Sequence, residues 1–229
     1  MNKHLVDIAY ILDRSGSMQP LQEAAIAGFN QFVQSQLDVP GDARLTLVLF
    51  DNEYEVPLDA VPIQAAPKLN ATTYIPRGST ALLDAIGRTI KATDKRLKDL
   101  PSQEQPGKVI IAIFTDGQEN ASREYTAAHI GDLISLYRRE KGWEFLFLAA
   151  NQDAIATAAA MQMEVNTSGN VSTSATGFRT SGSAMSRKVR ALRMKTSGTM
   201  DTQAQEDDVK PMDEIAKEEE ENGKEGGKQ

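Results

Sequence analysis

The sequence predicts an α/β fold: a doubly wound, mostly parallel six-stranded sheet with one antiparallel edge strand and helices on both faces. Three observations carry this. Apolar runs without polar alternation recur at residues 5–12, 45–50, 109–114 and 145–150, the pattern of strands buried on both faces of a parallel sheet. Segments of helical period lie between these runs. One link, after Phe50, is too short to be a parallel crossover.

The elements follow in order. The run 5–12 ends in Asp13-Arg14-Ser15-Gly16-Ser17. Pro20, whose fixed φ suits a first helical turn, precedes Leu21, Ala25, Gly28, Phe29, Phe32 and Val33 at helical spacing. The run 45–50 is followed by Asp51-Asn52 and then by the strand-like residues 53–61; so short a turn allows a hairpin only, hence an antiparallel edge strand. Residues 62–78, with three prolines, read as a rim loop leading to Ser79-Thr80. Leu82, Leu83, Ile86, Ile90 and Leu97 mark a second helix, and Ile130, Leu133, Ile134 and Tyr137 a third. The run 109–114 between them closes on Thr115-Asp116-Gly117. After 145–150, a short helix at 154–161 and a brief strand near Val165 complete the sheet, and a helix around 184–194 packs on it.

This gives three segments: a domain at 1–168, a Ser/Thr-rich loop with a basic helix at 169–195, and an acidic tail at 196–229. The tail is expected to be disordered, because it carries too little apolar surface to offset chain entropy. The net charge of −7 resides there, since residues 201–229 hold eleven acidic residues and four lysines. Residues 165–200 hold six basic residues and no acidic one. A positive segment therefore precedes a negative one.

No apolar run is long enough to span a bilayer, and the first residues lead into a strand rather than a signal sequence. The chain has no cysteine, which removes disulfides, thiolate zinc sites and thiol nucleophiles. A cytoplasmic location is expected.

If the runs 5–12 and 109–114 are neighbouring parallel strands, their carboxyl ends bring Asp13, Ser15, Ser17 and Asp116 to one part of the rim, where open α/β sheets hold ligands. Two carboxylates and two hydroxyls suit a hard divalent cation. Asp13 and Ser15 alone could simply cap the following helix; Asp116 at the end of the neighbouring run argues for the ion.

Asp13-Arg14-Ser15-Gly16-Ser17-Met18, Gly78-Ser79-Thr80-Ala81-Leu82 and Phe114-Thr115-Asp116-Gly117 with Glu119-Asn120 resemble the three metal-site loops of the von Willebrand factor A (VWA) domain, in the same order. The likeness runs over about residues 6–165. It is nearest to stand-alone bacterial members, including those of tellurite-resistance operons. The resemblance implies a metal-ion-dependent adhesion site (MIDAS) with Asp13, Ser15, Ser17, Thr80 and Asp116 in the metal positions. Ser15, Ser17 and Thr80 would supply hydroxyls, and Asp13 and Asp116 would act mostly through bound water. The ion implied is Mg²⁺, with Mn²⁺ or Ca²⁺ as substitutes, and an exchangeable position is left for an Asp or Glu of a protein partner. Bacterial relatives of this kind work beside AAA-type ATPases or other operon-encoded proteins in stress and phage-related systems.

Two other functions are weighed against that module. A Mg²⁺-dependent phosphoryl-transfer enzyme with Asp13 as acceptor lacks a second aspartate, since Ser15 stands there, and the chain shows no Walker loop, Gly-x-Ser-x-Gly elbow or His-Glu-x-x-His; no enzyme is expected. A nucleic-acid binder would use the basic segment 179–195, but no aromatic is interleaved for base stacking, so neither nucleic acid nor membrane is the expected partner. The basic run reads as a solvated helix face, Arg14 as a solvated side chain, and His4 and His129 as surface residues. The run 218–221 reads as a solubilising tail, with occupation of the metal as its sharper alternative.

Overall fold

The computed structural model describes residues 2–116, 119–149, 152–163, 167–170 and 174–226. Strands β1 (Asn2–Asp13), β2 (Asp42–Phe50), β3 (Tyr54–Pro62), β4 (Pro106–Thr115), β5 (Glu144–Ala149) and β6 (Ser168–Asn170) form one sheet in the order β3-β2-β1-β4-β5-β6. Every neighbouring pair is parallel except β2 and β3. β1 is central, with Ile8 opposite Leu45 on one side and Ile110 on the other.

The unbroken apolar runs are explained by cover on both faces. Ile8, Tyr10 and Leu12 face one core, built with α1 (Gln22–Leu37) and α5 (Ala175–Ser197). Ala9 and Ile11 face the other, built with α2 (Leu82–Asp99), α3 (Ala127–Lys141) and α4 (Gln152–Ala160). The Tyr10 ring packs between Phe29 and Phe32, with centroids 5.4 and 4.8 Å away. Trp143, just before β5, is buried against Tyr137 at 4.6 Å. The short link after Phe50 makes the expected hairpin. Its outer strand, β3, carries Pro57 and a left-handed Ala60 and shifts register against β2, so it offers a poor edge for a further strand.

Four sequence expectations shift locally. Pro20 lies in a 3-10 turn, Gly16–Leu21, and α1 begins only at Gln22. The last strand is Ser168–Asn170, while Val165 lies outside the described residues, as does Gly117. The Ser/Thr-rich stretch expected as a loop is largely inside α5. Ser181 and Ser186 donate to the carbonyls of Gly177 and Gly182, so their hydroxyls are satisfied within the helix. Finally, α5, assigned after residue 168 to a segment packing on or extending the domain, is built into the domain's own core. Phe178, Met185, Val189 and Leu192 belong to the main core, and Gly182 lies so close to α1 that a Cβ there would sit 3.2 Å from the Cα of Gly28.

The largest correction concerns residues 196–229, expected to be disordered. Thr202–Val209 and Met212–Gly226 are helices, α6 and α7. Their few apolar side chains are placed where they count: Met212 reaches the main core, Ala204 joins Val39, Ala191 and Met194, and Ile215 and Ala216 pack on Ala184. The acidic residues find the basic ones of α5. Arg187 donates to Asp207, Glu218 and Glu219, Arg190 pairs with Asp201, and Lys195 pairs with Asp208. Lys188 is buried and donates to the carbonyls of Asp207, Asp208 and Lys210 at the end of α6. Arg193, also buried, donates to the carbonyls of Gln36, Val39 and Gly41. The basic run 187–195 is therefore not a solvated face: its five cations are bonded within the chain, while Arg179 of the wider segment 179–195 is exposed. Among the described residues no helix is long and apolar enough to cross a membrane.

Candidate metal centre

The strand order reverses between β1 and β4, the place where open α/β sheets hold ligands beyond the carboxyl ends of their strands. Leu12 stands opposite Phe114, so the next residues, Asp13 on one strand and Thr115-Asp116 on the other, emerge side by side. Four of the five predicted residues are joined by hydrogen bonds. The Ser15 amide donates to Asp13 Oδ1 at 2.7 Å, Ser15 Oγ lies 3.0 Å from Ser17 Oγ, and Ser17 Oγ donates to Asp116 Oδ1 at 2.9 Å. Asp13 Oδ2 accepts from Thr115 Oγ1 at 2.6 Å.

Thr80, the fifth, is brought in by backbone. Gly16 N donates to Gly78 O at 3.1 Å, which lays the second loop on the first. Thr80 N donates to Asn120 Oδ1 at 2.9 Å, and the amides of Asn120 and Ala121 return bonds to Thr80 O. Thr80 is buried, and its hydroxyl makes no hydrogen bond among the described residues. Gly78 is required where it stands. Its φ is +69°, and a Cβ would lie 2.1 Å from Asn52 Oδ1, so any side chain meets both strain and a clash.

The surroundings of the two carboxylates disfavour their charged forms. Asp13 is fully buried, and burial pushes its carboxyl up from 3.8 to about 7 despite the hydrogen bonds from Thr115 and Ser15, with the charge of Asp116 adding to the rise. Burial also raises Asp116, against the bond from Ser17. The nearest guanidinium along the chain, Arg14, is committed elsewhere. It is buried rather than solvated, and its Nε and Nη1 donate to Asp51 at 3.1 Å and Glu55 at 2.8 Å. Two buried or half-buried carboxylates with hydroxyls between them, the buried one, Asp13, accepting only from hydroxyl and amide donors among the described residues, fit a divalent cation in donor type and in charge.

Several residues that hold this arrangement were not legible as site residues. Tyr74, in the rim loop, is buried and its hydroxyl donates to Asp13 O. Glu119 accepts from the amides of Leu83, Ala121 and Ser122, and Asp84 accepts from those of Arg123, Glu124 and Tyr125. The third loop and the start of α2 are thus stitched to each other. Asp51 and Asn52, read from sequence only as turn material, contact both the first and the second loop. The pair Glu119-Asn120 was the one visible signal. Glu218 and Glu219 are held by Arg187, so these acids of the run 218–221 are engaged within the C-terminal helices rather than with a metal.

No protein-family model and no curated protein matches the chain. Solved structures do. Proximal thread matrix protein 1 from the mussel byssus, with a zinc-occupied MIDAS motif, is similar at 17% identity over 82% of this chain and 46% of that one, with a TM-score of 0.54. The manganese-loaded TRAP protein of Plasmodium vivax is similar at 17% identity over 75% of this chain and 70% of that one, with a TM-score of 0.53. A von Willebrand factor type A protein from Catenulispora acidiphila is similar at 14% identity over 84% of this chain and 42% of that one, with a TM-score of 0.50. This chain thus spans less than half the length of the mussel and Catenulispora chains. The fold is that of VWA domains.

Proposed function

We propose that the chain is a metal-dependent protein-interaction module: a Mg²⁺ ion at the rim, with Mn²⁺ or Ca²⁺ as substitutes, grips an Asp or Glu of a protein partner. The observation that carries this is Asp13, a carboxylate buried beside Asp116 and linked to Ser15 and Ser17, which among the described residues accepts from hydroxyl and amide donors and from no cationic side chain. Ser15, Ser17 and Thr80 offer neutral oxygens, which leave a bound ion electrophilic, while Asp13 and Asp116 supply charge. Magnesium keeps several waters, and a partner carboxylate replaces one of them. Zinc and manganese named in the two neighbours support a divalent ion in this fold. The chain is read as a binder rather than a phosphoryl-transfer catalyst, because Ser15 stands where such a site would carry its second aspartate.

The partner is a protein of the same cellular system. The likeness of the three loops to bacterial stand-alone VWA proteins favours an AAA-type ATPase or another operon-encoded protein in a stress or phage-related assembly. The nucleic-acid reading loses its support, since the five cations at 187–195 are bonded within the chain.

Calorimetric titration with Mg²⁺ and Mn²⁺ is the direct test. One site per chain is expected, weakened about tenfold or more in Thr80→Ala. A pull-down with and without chelation then asks whether the protein lost on chelation is also lost with Thr80→Ala. A native chain that takes up no divalent ion, or a complex indifferent to chelation, overturns the reading.

A further inference from the structure

Asp51 touches none of the five metal-position residues through its side chain, yet it is fully buried and stands where the first and second loops meet the β2–β3 turn. Its Oδ2 accepts from Arg14 Nε at 3.1 Å and from Arg77 Nε at 2.9 Å. Its Oδ1 accepts from the amide of Glu53, which closes the turn. Its carbonyl accepts from Ala81 N at 2.9 Å. Arg14 is the residue between Asp13 and Ser15, and Arg77 and Ala81 bracket Gly78-Ser79-Thr80. One carboxylate therefore holds the guanidinium of each loop, and its own backbone holds the far side of the second.

The bond between loops runs through the same residues: Arg77 N donates to Arg14 O at 2.8 Å, and Arg14 N to Phe50 O at 2.8 Å. Arg14 has little choice of position. Its Nη2 is buried with no hydrogen-bond partner among the described residues, and Asp51 and Glu55 accept from its Nε and Nη1. Without the Asp51 charge, Arg14 has strong reason to swing toward water. Asp13 and Ser15 are its immediate neighbours along the backbone and must shift with it.

We propose that Asp51 is a positioning residue for the metal centre: through Arg14 and Arg77 it sets the relative placement of the loops that carry Asp13, Ser15 and Ser17 on one side and Thr80 on the other. The inference rests on the metal-binding reading above. Its natural control is Asp7, in the middle of β1 and away from the rim loops, which is equally buried and accepts from Arg96 at 3.0 and 2.8 Å. Both are buried aspartate–arginine pairs, but only one touches the loops.

The test uses the full chain and Mn²⁺, followed by electron paramagnetic resonance, with thermal unfolding of the metal-free protein measured in parallel. Asp51→Asn is expected to weaken Mn²⁺ by about tenfold or more, the range typical of residues that orient metal ligands, whereas Asp7→Asn leaves it within about twofold at a comparable loss of stability. Amide exchange in the metal-free Asp51→Asn protein should accelerate at Arg14, Arg77 and Ala81. If Asp51→Asn fails to fold, Arg77→Gln, at a half-exposed side chain, takes its place and should weaken Mn²⁺ by about three- to tenfold. Unchanged affinity in the folded variant overturns the inference while leaving the metal site standing, and so does an equal loss in Asp7→Asn. A native chain that binds no Mn²⁺ overturns both.

Discussion

Asp13 at the rim and Asp207 at the C-terminal helices are both buried aspartates, yet their surroundings are opposite. Asp207 meets the Arg187 guanidinium through both oxygens, at 2.6 and 3.1 Å. Burial alone would lower Arg187, but Asp207, Glu219 and Glu218 outweigh it and hold the guanidinium well above its usual range. Asp13 has only hydroxyl and amide donors, and its carboxyl rises to about 7. A count of acidic residues would have pointed to the C-terminal helices as the cation site. The balance of charge points to the rim instead, because an acid already matched by an arginine has nothing left to offer a metal.

The comparison breaks most visibly if each aspartate is neutralised. Asp13→Asn should lower Mg²⁺ affinity by about a hundredfold, nearly 3 kcal/mol, while leaving the metal-free protein as stable as before at pH 8, or more so. Asp207→Asn should leave metal affinity untouched and destabilise the fold by about 2 kcal/mol, below the usual cost of opening a buried pair because Glu218 and Glu219 remain on Arg187. Calorimetric titration beside urea unfolding reads both effects. Equal metal loss in the two variants, or a large loss of metal-free stability in Asp13→Asn, ends the contrast.

The second prediction follows from protonation. The Asp13 carboxyl stands at about 7 in the folded state against 3.8 ordinarily, so folding favours its protonated form. That contribution is complete below about pH 4, declines as pH rises towards 7, and is gone above. A bound ion replaces the proton. The rise in melting temperature on adding Mg²⁺ at one fixed concentration, about a hundred times its Kd at pH 8, should therefore be larger at pH 8, where about 2.7 kcal/mol is available, than at pH 5, where the proton competes and the Kd is higher. Scanning calorimetry at both pH values checks this, and an equal rise at both contradicts it.

The smallest effect belongs to the exposed edge of the helical pairings. Lys195 reaches Asp208 from a side chain that is 60% exposed, and Lys195→Ala should cost no more than about 0.5 kcal/mol. Chemical unfolding resolves that from the Asp207 effect. A cost of about 2 kcal/mol would mean that the exposed pairs, and not the buried one, anchor the last two helices.

What could be read from the residues alone was whatever is local or periodic. The four apolar runs gave the parallel strands, and the short link after Phe50 gave the hairpin. Asp13, Ser15, Ser17 and Asp116 were legible because strand ends are local and their order on the sheet follows from the runs, whereas Thr80, at the end of a long loop, was legible only through the resemblance of the three loops to the VWA pattern. Asp51, Tyr74 and the true role of Arg14 were not, since their partners lie tens of residues away and a turn aspartate looks the same whether it is solvated or clamping two arginines. The C-terminal helices were hidden for another reason. Composition averages over a segment, whereas Ala204, Met212, Ile215 and Ala216 act at single positions, and the acids that suggested repulsion are matched one by one to cations on α5. Opposite charge in adjacent segments was visible; that the segments fold onto each other was not.

Trp143 is the chain's single tryptophan, and it sits buried at the beginning of β5, the end of the sheet away from the crevice. Its emission therefore follows the loss of the packed sheet and is blind to what enters the rim. Optical unfolding curves recorded with and without ion or partner can be compared directly, without a quenching artefact from the ligand itself.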